Sequence, residues 1–387
     1  MMKTNEKGIT LITLVVTIVI LLILAGIVIS SLAGDNGLFK RAKEAREETL
    51  IAQEDELRNL TILEAATHLE EYEYEDESGK KVTIPAQCAV SQIEGENTLA
   101  DGLVIIDANG NEWVWIEVPE SVTASSTTDG EIENALISYV SEYRLEGYSD
   151  TWYEGCGLEE QEYADRYSEM LQSIKANNGF FVGRYEVGSF DAPVTGNDTT
   201  RKTVIQKGAY PYNLVRCSQA QELSEELAIG NKTSSLMFGI QWDLVLKYLE
   251  TKGVPESELK TNSGSWGNYR DVEFAVEEGN KYVVATKWSL EKWNDIPANY
   301  KKTTFDTDGD GVLLTTGATV RNSKMNIYDL AGNVWEWILE KSASTSHPCT
   351  SRGGNYGESG SYYPVSGHGN GRTSYSDYSH GFRPVLY

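Results

Sequence analysis

From Ile9 to Leu32 the chain reads ITLITLVVTIVILLILAGIVISSL, a run without a single charged residue. About twenty such residues suffice for a helix to cross the hydrocarbon core of a bilayer. Lys3 and Lys7 precede the run, and basic flanks of this kind stay on the cytoplasmic side. A secretory signal peptide is the competing reading, but its apolar core is normally shorter and closes on an A-x-A-like site. A plain membrane anchor is the other.

Beyond the run, Gly34-Asp35-Asn36-Gly37 predicts a break, because two Gly and an Asn-Gly step favour a turn. Helix formers return from Leu38 to about His68, with Lys43/Glu47 and Glu54/Arg58 at supportive i,i+4 spacing. Leu50, Leu57, Leu60 and Leu63 trace a partial apolar stripe. At 1.5 Å per residue, 9–69 forms a stalk of roughly 80–90 Å. The acidic EEYEYEDESGKK stretch that follows reads as an exposed hairpin or as part of a linker over 70–99.

With 387 residues the chain has enough length for one large core or two modest ones. Its formal charge of -25 excludes nucleic acid as a partner, since phosphate neutralisation needs clustered Lys and Arg. Nine Trp and 22 Tyr are too many aromatics for a disordered chain. Cys88, Cys156, Cys217 and Cys349 are spaced too widely for a zinc pattern. In an exported chain some of them would pair, and buried free thiols would look the same in sequence.

From about Gly102 short strands and turns take over. Leu103 to Pro119 predicts a hairpin about Asn109-Gly110. Asp165 to Ala176 reads as a helix ended by Asn177-Asn178-Gly179. Phe180 to Gly188, FFVGRYEVG, reads as a strand, Ser218 to Leu227 as a helix capped by Ser218, and Phe238 to Leu249 as an amphipathic helix. This order of elements predicts an α+β domain rather than parallel α/β. Near the end, Asp329 to Trp337, DLAGNVWEW, packs two Trp, two acids and a Gly-Asn turn into nine residues. Leu330, Val334, Trp335 and Trp337 predict a buried corner, at which Asp329 and Glu336 would meet a hard cation or solvent.

Lys7-Gly8-Ile9-Thr10-Leu11 resembles the processing site of type IV prepilins. The resemblance implies a leader over 1–8, cleavage between Gly8 and Ile9 by a prepilin peptidase, methylation of the new amine, and assembly with other pilin subunits through the helix. That family usually has Glu at the fifth mature position, where this chain has Thr13. A second resemblance covers about 100–387. WVWIEVP, FFVGRYEVG, WDLVLKYL, SWGNY, NIYDLAGNVWEW, RGGNY and GFRPVL occur in the order found in the formylglycine-generating enzyme (sulfatase-modifying factor) family. This implies a C-type-lectin-like fold behind a long pilin-like helix.

Members of that family that oxidise a substrate Cys use a Cys pair a few residues before the terminal GFR. Here Gly369 to His380 contains no Cys, and soft Cu(I) requires thiolates. Sulfoxide-synthase relatives use a His-x-x-x-His-x-Glu run, which His68, His347, His368 and His380 do not form. The resemblance also implies a structural Ca²⁺ held by Asp329, the carbonyls of Gly332 and Val334, and Glu336, with a second site matched through Asn268 and Tyr269. Hard oxygen donors in a tight turn are what Ca²⁺ requires. Asp306 to Gly311 fits the first half of an EF-hand loop, but the twelfth position is Gly317, and an Asx-rich turn accounts for the same residues.

Asn355 to His380 holds five Tyr, six Ser and five Gly among 26 residues. That is the composition of binding loops, with rigid amphipathic area beside adaptable hydrogen-bonding groups. The stretch resembles the variable region of proteins diversified by retroelements, in which adenine-directed mutagenesis rewrites Asn-type codons. The resemblance nominates Tyr356, Ser359, Ser361, Tyr362, Tyr363, His368, Asn370, Ser374, Tyr375, Asp377, Tyr378 and His380 as ligand-binding positions. The expectation is a non-catalytic adhesin or ligand-binding protein, placed in the cell membrane before assembly and at the cell surface afterwards, with a protein or glycan as its ligand. The alternatives are a minor pseudopilin or pilus-tip subunit, and a residual oxidase.

Overall fold

The computed structural model describes residues 17–22, 38–191, 198–286 and 289–387, in two compact units, 1–57 and 58–387. The expected leader, the Gly8/Ile9 cut and the 34–37 turn lie outside the described residues. Of the apolar run only 17–22 is described, and it is helical. Among the described residues no helix is long and apolar enough to cross a membrane.

Helix α1, Leu38–Ala65, ends three residues short of His68. Leu50, Leu60 and Leu63 of the expected stripe are exposed. Within the second unit its last turns bury Thr61 and Ala65, four residues apart on one face, and Arg58 pairs with Glu112 at 2.5 Å. The contact thus combines Thr61 and Ala65 with the Ile62 side chain beside Gly110 and an ion pair.

The acidic stretch, expected as an exposed hairpin or as linker, forms the hairpin. Tyr72–Glu75 pairs antiparallel with Lys81–Ile84. Tyr72 and Tyr74 alternate with exposed Glu73 and Glu75, so the charge run hides a period of two.

The core is organised by two sheets. In chain order the strands are β1 (Cys88–Val90), β2 (Val104–Asp107), β3 (Glu112–Glu117), β4 (Gly179–Gly183), β5 (Ser234–Leu236), β6 (Trp335–Ser342), β7 (Cys349–Arg352), β8 (His368–Gly371), β9 (His380–Phe382) and β10 (Pro384–Leu386). The first sheet runs β5-β10-β4-β3-β2-β1, and the second β8-β7-β6-β9. The first is antiparallel throughout; in the second, β9 lies parallel to β6. One residue, Arg383, separates β9 from β10, so the chain passes there from one sheet to the other. Helices α2 (Asp129–Tyr139), α3 (Glu160–Asn177), α4 (Cys217–Glu225) and α5 (Gly239–Thr251) complete the α+β arrangement.

The predicted hairpin turns at Gly110, whose φ of 82° is one glycine adopts without strain. Asn178, at φ 59°, ends α3 in the left-handed conformation. Helix α4 starts at Cys217, because the Gln219 side chain accepts the Arg216 N–H at 3.1 Å and places Arg216, not Ser218, at the cap. FFVGRYEVG joins the sheet only as far as Gly183; beyond it Arg184 turns inward to Glu96 at 2.6 Å and Glu112 at 2.8 Å. Helix α2 has no counterpart in the sequence reading, since it buries only Ile132 and Leu136. Its start is fixed instead by a capping box between Thr128 and Glu131. All four cysteines are buried free thiols.

Candidate functional site

The DLAGNVWEW corner is a buried polar knot. Asp329, Gly332 and Asn333 have φ of 57°, 79° and 55°, which turns the chain tightly enough to aim its side chains inward. The Asn333 amide donates to Glu186 Oε2 at 2.6 Å, and its oxygen accepts from Asn268 at 2.9 Å. The Val334 N–H donates to Glu186 Oε1 at 3.1 Å. Glu336 receives the Arg383 guanidinium at 2.7–3.1 Å. The Gly317 N–H donates to Asp329 Oδ2 at 2.7 Å. Burial pushes the Glu186 carboxyl well up, and the neighbouring Asp329 and Glu336 charges push it further. Burial lifts Asp329 to about 6 against the Gly317 N–H and Arg383. Glu186 was not singled out by sequence; its inward turn only appears once FFVGRYEVG leaves the sheet.

This geometry does not fit the expected calcium ligands. Both Glu336 oxygens face Arg383, and Asp329 offers one unpartnered oxygen, Oδ1. Among the described residues no group of three or more His, Cys, Asp or Glu side chains is placed to hold a metal ion. At the second expected site Asn268 Oδ1 is buried without a hydrogen-bond partner, while the Asn268 nitrogen and the Tyr269 hydroxyl are engaged. The Asn268 amide donates to the Val312 carbonyl and to Asn333, and the Tyr269 hydroxyl donates to the Gly353 carbonyl. In the EF-hand-like run, Asp308 pairs with Arg270 at 2.5 Å.

Directly beyond the corner the sheet opens into a cleft of about 240 Å³. Trp335 and Ser351 come from β6 and β7, and His368, Gly369 and Asn370 from β8. His380 comes from β9, Asp377 and Ser379 from the turn before it, and Tyr363, Asn355 and Glu358 from the loop after β7. Trp335 meets Tyr363 edge-on at 4.9 Å, and His380 stacks on Trp337 at 4.6 Å. Gly369 leaves room for the Ser351 hydroxyl, which a Cβ there would approach to 2.7 Å and push aside.

Asp377 pins the floor. Its Oδ1 accepts from the Ser379 N–H and hydroxyl, both at 2.9 Å, and lies 2.8 Å from His380 Nδ1. Its Oδ2 accepts from the Tyr375 hydroxyl at 2.7 Å. Burial raises this carboxyl, but the His380 ring and these donors outweigh it and hold it below the usual carboxylate range. Ser351 Oγ lies 3.4 Å from His380 Nε2. The Ser351–His380–Asp377 line ties β7 to the turn before β9.

Behind His368 lies a second buried network. Arg352 donates to Asp243 at 2.9 Å, Arg144 pairs with Asp150 and Asp243 at 3.1 Å, and Glu340 Oε2 stands 3.4 Å from His368 Nε2. Burial raises Glu340 to about 8 against the pull of Arg352.

Of the twelve nominated positions, Tyr363, His368, Asn370, Tyr375, Asp377 and His380 line the cleft. Ser361, Tyr362 and Ser374 are exposed outside it, and Ser359 and Tyr378 are half-buried. Tyr356 departs from the expectation. It is fully buried against Val283, Leu313 and Val334, with its hydroxyl on the Thr286 carbonyl at 2.9 Å. Trp335, Ser351, Asn355, Glu358 and Ser379 join the cleft without having been nominated. Trp335 was visible in sequence only as a core residue.

An α+β domain with a sheet-borne cleft at its C-terminal end is the class that fold and site define. The chain belongs to the sulfatase-modifying factor enzyme 1-like domain family, whose model matches residues 155–386, and its fold is the C-type-lectin-like one. Treponema denticola variable protein 1 is a solved structure similar to it, at 15% identity and a TM-score of 0.25, over 81% of this chain and 98% of that one. No curated protein matches.

Proposed function

We propose that this chain is a surface-displayed, pilin-like ligand-binding protein, and that the cleft is its binding site. The observation that carries the reading is the way Asn355 to His380 is held. Arg352 before it is buried on Asp243 and Arg383 after it on Glu336. Between these anchors Tyr356 and Val365 are buried in the scaffold, while Tyr363, Asn370 and Tyr375 line the cleft and Ser361, Tyr362 and Ser374 face solvent. Such an arrangement tolerates changes of residue without loss of the scaffold, as a diversified face requires. The absence of a Cys pair between Gly369 and His380 supports binding rather than oxidation of a substrate Cys. The charge-free Ile9 to Leu32 run and the Lys7-Gly8-Ile9 step support membrane insertion, peptidase processing, and display through packing of the helix with other pilin subunits.

The test is comparative sequencing of the gene and its surroundings. Ser361, Tyr362, Tyr363, Asn370, Ser374 and Tyr375 should differ between isolates, with codons ending in C or T and an adenine-rich template repeat beside a reverse transcriptase gene. Identical residues in all isolates and no such repeat would overturn diversification. Deletion that blocks secretion or pilus assembly, rather than target binding, would turn the reading to a pseudopilin.

A further inference from the structure

We infer that the cleft selects a positively charged group on an aliphatic stem, an alkylammonium or guanidinium. This rests on the reading of the cleft as a binding site. Its lining includes no Lys and no Arg, but does include Asp377 and Glu358 beside the rings of Trp335, Tyr363 and Tyr375. The buried guanidinia behind the cleft are committed elsewhere, Arg352 to Asp243 and Arg383 to Glu336, and the exposed Arg372 that follows β8 is not among the lining residues, so an anion entering the cleft meets chiefly acid, imidazole and aromatic surface.

Aromatic rings line the cleft on several sides: Trp335 and Tyr363 stand at 77° to each other, and Tyr375 and His380 at 86°. A cation over the face of such a ring is attracted by the ring quadrupole, more strongly as water is excluded. Tyr375 donates its hydroxyl to Asp377 at 2.7 Å, which shifts electron density into the ring and deepens the negative potential on its face. Asp377 already accepts from Ser379, His380 and Tyr375, so it supplies fixed charge behind the ring rather than direct ligation. At longer range the formal charge of -25 draws cations toward the surface.

The experiment titrates the full chain with Nα-acetyl-lysine methylamide, its Nε-acetylated form, spermidine and methyl α-glucopyranoside, following tryptophan fluorescence and calorimetry. Saturable binding of the lysine amide, weakened at least tenfold by Nε-acetylation and by Tyr363→Ala, is the expected result. Circular dichroism confirms that the variant is folded. Stronger binding of spermidine than of the lysine amide assigns the charge to a free polyamine rather than a protein side chain, and supports the inference equally. Equal binding of the charged and acetylated forms, or binding of the glycoside alone, overturns charge selection. If Tyr363→Ala still weakens the probe that does bind, the cleft remains the binding site. Binding that Tyr363→Ala leaves untouched overturns the site itself.

Discussion

The Arg383 guanidinium is clasped by the Glu336 carboxylate, Nε at 3.0 and 3.1 Å from its two oxygens and Nη2 at 2.7 Å from Oε1. Neither side chain is more than 1% exposed. The remaining donors of Arg383 go to the Gly183 and Tyr328 carbonyls, each at 2.8 Å. One side chain thus ties β6, β4 and the corner together at the point where the chain changes sheets. Removing one member of a buried pair leaves the other charge uncompensated, which costs about 3–5 kcal/mol. Arg383→Ala is expected to lower stability by that amount in urea unfolding, whereas a loss within about 0.5 kcal/mol, as at surface sites, would show the pair to be incidental.

Calcium removal separates the observed pairing from the ligand set implied by resemblance. With Glu336 engaged by Arg383, chelation should leave the melting temperature of the full chain unchanged, and added calcium should not raise it. A stabilisation that grows with calcium concentration would mean that Glu336 exchanges the guanidinium for the ion.

Acidity has a defined direction. Burial raises the folded-state values of Glu340 to about 8 and of Asp150 and Asp329 to about 6, above ordinary carboxylates. The fold therefore favours their protonated forms. Their contribution is most favourable below pH 4 and is lost as pH rises, through about 6 for the two aspartates and about 8 for Glu340. Melting temperature should fall between pH 5 and 8.5, and Glu340→Gln should flatten that slope above pH 6. An unchanged slope in the variant would clear Glu340 of the effect.

Tyr356 and Tyr362 share a segment but not a role. Tyr356 is fully buried, while Tyr362 is 74% exposed. Tyr356→Ala should cost about 3–5 kcal/mol, as for other buried aromatic truncations, and Tyr362→Ala less than about 0.5 kcal/mol. Equal costs in denaturant unfolding would contradict this division between scaffold and face.

The thiols give a last check. Cys88, Cys156, Cys217 and Cys349 are buried, and burial pushes the Cys88 and Cys156 thiols up, away from the reactive thiolate. Iodoacetamide should label none of the four in the native chain and all four in denaturant, read by intact mass. Rapid native labelling would show an opening of the core.

Local pattern was enough to find the hairpin at Gly110, the cap at Asn178, helix α5 and the family order of motifs, because turn chemistry and periodicity are written in adjacent residues. Six of the twelve positions nominated by resemblance line the cleft, in a stretch whose Tyr, Ser and Gly content marks it as surface-rich. It could not separate Tyr356 from Tyr363, because burial depends on which sheet a loop crosses. Nor could it see that Glu336 would face Arg383, 47 residues away in the chain, or that Glu186 would enter the corner from the far side. The acidic stretch after His68 read as either an exposed hairpin or a linker, because charge masked its alternation, and pairing of Tyr72–Glu75 with Lys81–Ile84 decides for the hairpin. Sequence by itself determined those elements with strong local patterns and the chemistry available; the tertiary structure decided which carboxylate meets which cation, because that pairing is fixed by packing between segments distant along the chain.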